Sequence, residues 1–450
     1  MPGTVHAALW TLSLLAFADQ AVGISVDAIK GTDVVRQLKH LATYSDSPAP
    51  SVTRLVYTAQ DKEARKYIKQ LMKDAGLTIR EDAIGNTFAR WAGADSSQGA
   101  VATGSHADSL ILGGPYDGCL GVVGGIAAVA GLKAAGFKPQ KPIEVIMFTS
   151  EEGDRFSHAC LGSLIMTNIM SAEFMDKLID MNGTSFLEAA NKAGYHAASN
   201  QEFREKVKIK DGSVDAFVEL HIEQGPILED EGYELAVVTH ISAPSLLKVN
   251  FWGKGGHAGG MPMRDRNDAA LAAAELALAV EKAALDTGSL DTVGTSGKWS
   301  ITPNLFNSIP RASQLDIDIR DIDKDRRDSV VEATKAAAAA VAKKRNVGVS
   351  MEFLYNLPPA SSAPEIMDAV ETAAKAIGAS YKKMKSMAYH DAAVMGQITK
   401  TGMIFIPSHN GLSHHPDEYS SPEDIERGVR ALALTLAQLA GSAEEADSEL

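Results

Sequence analysis

At 450 residues the chain exceeds what one hydrophobic core usually organises, so two domains are expected. Apolar residues make up 45% and charged residues 22%, ordinary for a globular enzyme, while the net charge of -14 and the lack of a Lys/Arg cluster argue against a nucleic-acid partner. The two cysteines, Cys119 and Cys160, exclude a disulfide framework and a cysteine-rich zinc site; they read as small buried packing residues, with a disulfide between them left open.

In chain order, Ala7 to Ala18 (AALWTLSLLAFA) comes first, an apolar run too short to span a bilayer and followed by Ala21-Val22-Gly23. Residues 1–25 therefore read as a secretory signal, although no Lys or Arg precedes the run; a cleaved organellar leader or a loosely packed extension is the alternative. The C-terminal Asp-Ser-Glu-Leu faintly resembles an ER-retention signal, which sets the expectation of the endoplasmic reticulum or secretory pathway and of no membrane segment in the mature form. An acidic disordered tail explains the same residues equally well.

From 26 to 244 helical and strand patterns alternate, as in AQDKEARKYIKQLMKDAG followed by LTIREDAIGNTFARW, which is the grammar of an α/β domain. Residues 245–357 read differently: strand LLKVNFWG, helix NDAALAAAELALAVEKAAL, strands TSGKWSITP and SQLDIDIRDI, helix RRDSVVEATKAAAAAVAKKR and strand GVSMEFLY. That βαββαβ order predicts two helices on one face of a four-stranded sheet, inserted into the first domain. The Pro-rich NLPPASSAP marks the return, and residues 358–450 complete the first domain.

Four apolar runs lead into side chains that can bind metal: AVATG before His106, IEVIMFTS before Glu151-Glu152, DAFVEL before His221 and GMIFIPS shortly before His414. Asp117 follows His106 in GGPYDG, a turn in which, taken alone, it would be an ordinary turn former. Ligands gather beyond the carboxyl ends of strands in open α/β sheets, so these positions can converge. Neighbours at a strand end point in different directions; Glu152 is accordingly read as a ligand and Glu151 as the general base facing a water. Asp108 is placed to accept a hydrogen bond from the other ring nitrogen of His106. The all-N/O donor set suits Zn or Mn.

Supporting residues are read from neighbouring motifs. Gln224 in HIEQGP can reach a substrate amide or carboxylate, with Glu223 in support; Asp154 and His158 read as structural or surface groups. His257 in GGHAGG can donate to an oxyanion, and Asn307 lies in the same inserted unit. Arg320 in DIDIRDID offers a carboxylate clamp or pairs with its own acidic neighbours.

GSHADSLILGGPYDG, FTSEEGDRF, CLGS, HIEQGP, GGHAGGMPM, NLFNSIPR, DIDIR and GLSHHPDE, spread from about residue 100 to 420, resemble the M20-type metallopeptidase superfamily in its amidohydrolase branch. The resemblance implies a mixed-sheet di-metal catalytic domain with helices on both faces and an inserted lid and dimerisation domain. It also implies ligands His106, Asp117, Glu152, His221 and His414 (rather than His415), Asp117 bridging two Mn(II) per subunit, and Glu151 as base. His257 would serve the partner subunit's site, so a homodimer is implied. The substrate would be a small ureide, held by Gln224, Asn307 and Arg320, with Tyr389 and His390 reading its 2-hydroxyl region. YSDSPAPSVTRLVYT, Ala388-Tyr389-His390-Asp391 and MIFIPSHNGLSHHPDEYSSPEDI look most like the plant ureidoglycolate-hydrolysing group within that branch, whereas Gly153-Asp154 and Ser157 depart from the pattern. The implied reaction releases glyoxylate, ammonia and CO2 in purine-nitrogen recovery; allantoate or N-carbamoyl-L-amino-acid hydrolysis, and a non-catalytic metal-binding relative, are the alternatives.

Overall fold

The four apolar runs become four adjacent parallel strands in the computed structural model, which describes residues 23–443. In spatial order they are Ile143–Phe148, Ala100–His106, Val214–Ile222 and Lys400–Ile406. Ile143–Phe148 and Ala100–His106 are buried along their whole lengths, as strands covered on both faces must be. Thr87–Trp91 pairs antiparallel on one side of this group and Leu235–Ile241 on the other, so the sheet is mixed. Parallel pairing brings all four carboxyl ends to one edge, and that registry brings together residues far apart in the chain.

Alternation along the strands fills two layers. Val145, Met147, Val218 and Leu220 join one large core with helices Gly31–Ala42, Ala59–Asp74, Cys119–Ala134, Pro364–Ala376 and Pro422–Ala440. Phe148 and Phe217, offset by one position, pack edge to face at 5.7 Å between ring centroids. Cys119–Ala134 is apolar around almost its whole circumference and carries four glycines, which lets it lie close against strands: a Cβ at Gly121 would sit 2.6 Å from the Leu220 carbonyl oxygen.

The chain divides into two compact units. Among the described residues, the first holds 23–239, Ser361–Ser386 and 390–443; the second holds His240–Ala360 and Met387–Tyr389. In the second, strands Gly348–Asn356, Ala243–Trp252, Ala312–Asp321 and Val293–Thr302 form an antiparallel sheet in that order. Leu247, Val249, Phe251, Leu315, Ile317 and Ile319 share a core with Ala272, Leu276 and Val280 of helix Ala269–Asp286 and Val330, Val331 and Ala338 of helix Lys324–Arg345. Both helices start on an aspartate cap: Asp268 accepts from the Leu271 amide and Asp323 from the Arg326 amide. The βαββαβ order read from sequence is the order observed. A two-residue ribbon, Gly256–His257 with Ser308–Ile309, was not legible in it.

The apolar run Ala7 to Ala18 and the Asp-Ser-Glu-Leu terminus lie outside the described residues. Among those described, no helix is long and apolar enough to cross a membrane.

Candidate metal centre

Asp117 lies where the strand ends converge. Its Oδ1 is 3.4 Å from His106 Nε2 and 3.1 Å from His221 Nε2, and its Oδ2 is 3.2 Å from His414 Nε2. Glu151 Oε2 lies 3.6 Å from His106 Nε2, and Glu152 Oε2 lies 3.9 Å from His414 Nε2. Two donor groups result, His106–Asp117–His221 and Asp117–Glu152–His414, each with its ligating atoms within 4.8 Å of one another and both using Asp117.

The histidines are set in the form a cation requires. His106 Nδ1 is 3.0 Å from the Asp108 carbonyl oxygen, and His221 Nδ1 is 2.8 Å from that of Ile222. A carbonyl can only accept, so Nδ1 carries a proton and Nε2 is the nitrogen turned toward Asp117 and open to a cation once deprotonated. Burial, reinforced by the charges of Asp117 and Glu151, pushes the Glu152 carboxyl well above its ordinary range. Burial also opposes charge on Asp117, but His221, His106 and His414 outweigh it and hold that carboxyl well below its usual range. His221 is pushed up to about 9: burial opposes this, and Asp117 overcomes it. Three carboxylates crowded against three imidazole Nε2 atoms, all buried except His414, are a chemical fit for divalent cations.

Residues 102–438 match the family described as Peptidase family M20/M25/M40. The chain belongs to that family. It is 50% identical to the ureidoglycolate hydrolase of Arabidopsis thaliana over 93% of this chain and 88% of that protein, and 50% identical to the ureidoglycolate hydrolase of Oryza sativa subsp. japonica over 90% and 84%. Crystal structures of AtUAH in complex with glyoxylate and with (S)-hydroxyglycine each superpose with a TM-score of 0.84 at 49% identity, covering 93% of this chain and 99% of theirs. The family and these clustered donors together point to a divalent metal site, for which the residues above are the candidate ligands.

Local chain geometry aims those donors. Gly118 has φ +63, and a Cβ there would lie 2.3 Å from His106 Nε2, so the turn after Asp117 has room only for glycine. At the Glu pair, Ser150 turns the chain with φ 57, and the amides of Cys160, Leu161 and Gly162 donate to the carbonyls of Glu151, Ser150 and Thr149 at 2.8, 2.9 and 2.7 Å. Asp108 acts differently from expectation. Its carbonyl, not its carboxylate, meets His106 Nδ1, and the carboxylate, 3.9 Å away, accepts from the amides of Glu151 and Glu152 at 3.2 and 3.1 Å. Two buried amides at a strand end need an acceptor more than the imidazole does, because the adjacent carbonyl already serves the ring.

Gln224, with φ 60, turns its amide onto Asp117: Nε2 lies 2.7 Å from Oδ2, and the buried Oε1 has no hydrogen-bond partner. Glu223 does not support the centre; it caps helix Ile227–Glu231 by accepting from the Ile227 and Leu228 amides at 2.9 and 2.8 Å. His390 is buried edge-on to His221 at 4.6 Å between ring centroids, with Nε2 3.0 Å from Ser386 Oγ. His415 Nδ1 accepts from the Asp417 amide at 3.1 Å, turned to its own loop, whereas His414 reaches Asp117. Both cysteines are free and buried: Cys160 Sγ donates to Glu151 Oε1 at 3.1 Å, and Cys119 Sγ lies 3.0 Å from Arg54 Nη2. Asp154 accepts from the Ile111 amide at 2.6 Å, and His158 is buried against the Phe174 ring.

His257, Asn307, Arg320 and Tyr389 belong to the second unit. His257 is exposed, and its Nδ1 accepts from the Gly259 and Gly260 amides at 3.1 Å each, which leaves the proton on Nε2. Asn307 is exposed, its carbonyl taken by the Ala258 amide. Arg320 forks onto Asp318, with Nε at 3.0 Å and Nη2 at 2.9 Å from Oδ2, and also donates to the Met387 carbonyl. The Tyr389 hydroxyl lies 3.4 Å from the Pro358 carbonyl.

Sequence reading missed three residues near the centre. Glu219 is fully buried and accepts from Ser105 Oγ at 2.6 Å and the Ala392 amide at 2.9 Å. Its spacing of two from His221 on one strand was a usable signal, since such residues share a face. Ser413 and Glu418 bracket His414 within GLSHHPDE, and burial followed by the charge of Asp117 pushes the Glu418 carboxyl up to about 7.

Proposed function

We propose that the protein is a binuclear-metal amidohydrolase that converts (S)-ureidoglycolate to glyoxylate, ammonia and CO2. The observation that carries the chemistry is the pair of donor groups sharing Asp117, with the Glu151 carboxylate 3.6 Å from the Nε2 of His106. The substrate follows from the ureidoglycolate hydrolases at 50% identity. His106, Asp117 and His221 would hold one cation, and Asp117, Glu152 and His414 the other; Mn(II) is proposed, with Zn the rival. When bound, such cations polarise the carbonyl and lower the pKa of a water.

The chain's own groups then divide the work. Glu151 Oε2 takes the proton of the attacking water and returns it to the nitrogen that leaves the ureido carbonyl carbon. Oε1 is held meanwhile by the Cys160 thiol. The carbamate so formed yields ammonia and CO2, and the 2-hydroxyglycine expels its amine as ammonia to give glyoxylate. His257, with its proton on Nε2, is a donor for the developing oxyanion; acting in a second copy of the chain, it would make a homodimer through the second unit the working form. Arg320 and Asn307 would hold the substrate carboxylate, Gln224 its amide, and Tyr389 and His390 its hydroxyl. The apolar run Ala7 to Ala18 supports entry into the secretory pathway, and the C-terminal Asp-Ser-Glu-Leu supports residence in the endoplasmic reticulum.

The test is glyoxylate and ammonia release from (S)-ureidoglycolate, allantoate and an N-carbamoyl amino acid, with Mn(II)-loaded protein and Glu151→Gln as control. Turnover of ureidoglycolate is expected, reduced roughly 10²- to 10⁴-fold in E151Q. Preference for another substrate would keep the metal chemistry and replace the substrate. Bound ions without turnover of any substrate would favour a non-catalytic relative.

A further inference from the structure

Asp117 and His414 come from chain segments about 300 residues apart, and one carboxylate ties those segments together. Glu418 is 3% exposed. Its Oε1 accepts from the amides of Tyr116 and Asp117 at 2.8 and 3.0 Å, and its Oε2 lies 3.0 Å from Ser413 Oγ. Ser413 Oγ in turn lies 2.9 Å from Asp117 Oδ2, so hydroxyl and carboxylate close a ring around the turn that presents Asp117 and the loop that presents His414. The chain makes room for this strut: a Cβ at Gly114 would lie 2.3 Å from Glu418 Oε1.

The two donor groups differ in how much they need such a strut. His106 and His221 stand on buried strands, each with Nδ1 fixed by a backbone carbonyl. His414 sits on a loop with φ 56, and its side chain is 48% exposed. A non-glycine residue keeps a left-handed backbone only when its surroundings impose it.

We infer that Glu418 is a positioning residue for the Asp117–Glu152–His414 group, holding the Asp117 turn and the His414 loop in register so that this group binds its cation. The inference rests on the two-cation reading proposed above. Partners that orient metal ligands typically contribute roughly 10- to 100-fold to metal affinity; because only the His414 group depends on both segments that Glu418 ties, the effect should fall more heavily on its ion.

The test is titration of chelator-stripped protein with Mn(II), reading free Mn(II) by electron paramagnetic resonance, alongside the thermal midpoint of each metal-free variant. Glu418→Ala removes the strut, Glu418→Asp shortens it with little disturbance to folding, and Glu418→Gln can rebuild it. In the last, the amide oxygen accepts the two backbone N–H groups and the amide nitrogen donates to Ser413 Oγ. E418A and E418D should each weaken one ion roughly 10- to 100-fold and the other distinctly less, while E418Q stays within about threefold of wild type. Wild-type affinities in E418A and E418D would overturn the inference. So would a loss in E418Q as large as in E418A, or equal weakening of both ions with a lowered metal-free midpoint. Wild-type protein that takes up fewer than two ions would sink the two-cation reading itself, a result seen before any variant is made.

Discussion

In the first unit, the side chains that form the centre are braced from behind: His106 and His221 by carbonyls on Nδ1, Glu151 and Glu152 through their amides by Asp108, and Asp117 through its amide by Glu418. In the second unit, His257 and Asn307 are exposed and Arg320 is spent on its neighbour Asp318. The first arrangement suits a ligand whose geometry is fixed in advance, as a metal's is. The second suits groups whose partner is a substrate or another chain and arrives later. The contrast makes different demands on the two units: substitutions behind the first should cost stability or metal binding, and those in the second should cost substrate affinity while leaving the fold alone.

The largest effect is expected at Arg65. Its Nε is 2.9 Å from Asp61 Oδ1, and its guanidinium also donates to the carbonyls of Gly85 and Phe148 at 2.9 and 3.2 Å. Phe148 ends the strand that leads into Glu151, so this ion pair, with both side chains at most 3% exposed, anchors one wall of the centre. Arg65→Met leaves Asp61 buried without its counter-charge and should cost about 3–5 kcal/mol in urea unfolding. The double variant with Asp61→Leu should recover most of that loss, since no charge is then stranded. A cost below about 1 kcal/mol for the single variant would mean that water reaches Asp61 and that the bracing is looser than drawn.

How much of this was legible depends on the distance over which each feature is decided. Strand runs and the residues that end them are local, so His106, Glu152 and His221 could be named before any fold was known, and the succession of strand and helix runs in the inserted unit predicted its βαββαβ order. The family resemblance settled Asp117 and the choice of His414 over His415, because neither an aspartate before glycine in a turn nor one of two adjacent histidines carries a local mark of its partners. What stayed hidden were contacts decided by close competition for hydrogen bonds in three dimensions. Asp108 could serve a ring or two amides, Glu223 a metal centre or a helix end, and only the assembled fold shows which unsatisfied donor lies nearer. Glu418 was hidden for a related reason: its two amide partners lie about 300 residues away.

A middle-sized effect should appear as pH dependence. His158 is buried against Phe174, and burial pushes its pKa down to about 4, with the Ala159 carbonyl opposing weakly. An unfolded histidine titrates near 6.5, so between these values the unfolded chain binds a proton that the folded chain refuses. The contribution of this residue to stability is therefore full above about pH 6.5 and is lost as pH falls toward 4, by roughly 3 kcal/mol in total. Urea midpoints of metal-free wild type and His158→Leu, measured at pH 7 and pH 5, should show a smaller acid loss in the variant. Equal losses would show that the ring is already charged when folded.

The smallest effect on stability, and the sharpest test of the contrast, concerns Arg320 and Asp318. Their side chains are 32% and 26% exposed on one strand, where an ion pair contributes at most about 1 kcal/mol. If Arg320 is only a structural partner of Asp318, Arg320→Ala and Asp318→Asn should be equally mild and neither should alter kinetics. If Arg320 is the carboxylate clamp, the two separate. R320A should raise KM for ureidoglycolate roughly 10- to 100-fold, the loss of a charge-assisted hydrogen-bonded pair, with unfolding shifted by less than about 1 kcal/mol. D318N frees the guanidinium from its competitor, so KM should hold or fall. Arg320→Lys adds a further distinction, because it keeps the charge but loses the planar fork: a KM close to that of R320A would mark bidentate recognition, and one close to wild type would mark a simple attraction of charge. A raised KM in D318N would reverse the assignment, since the aspartate would then be orienting the clamp and not competing with the substrate for it.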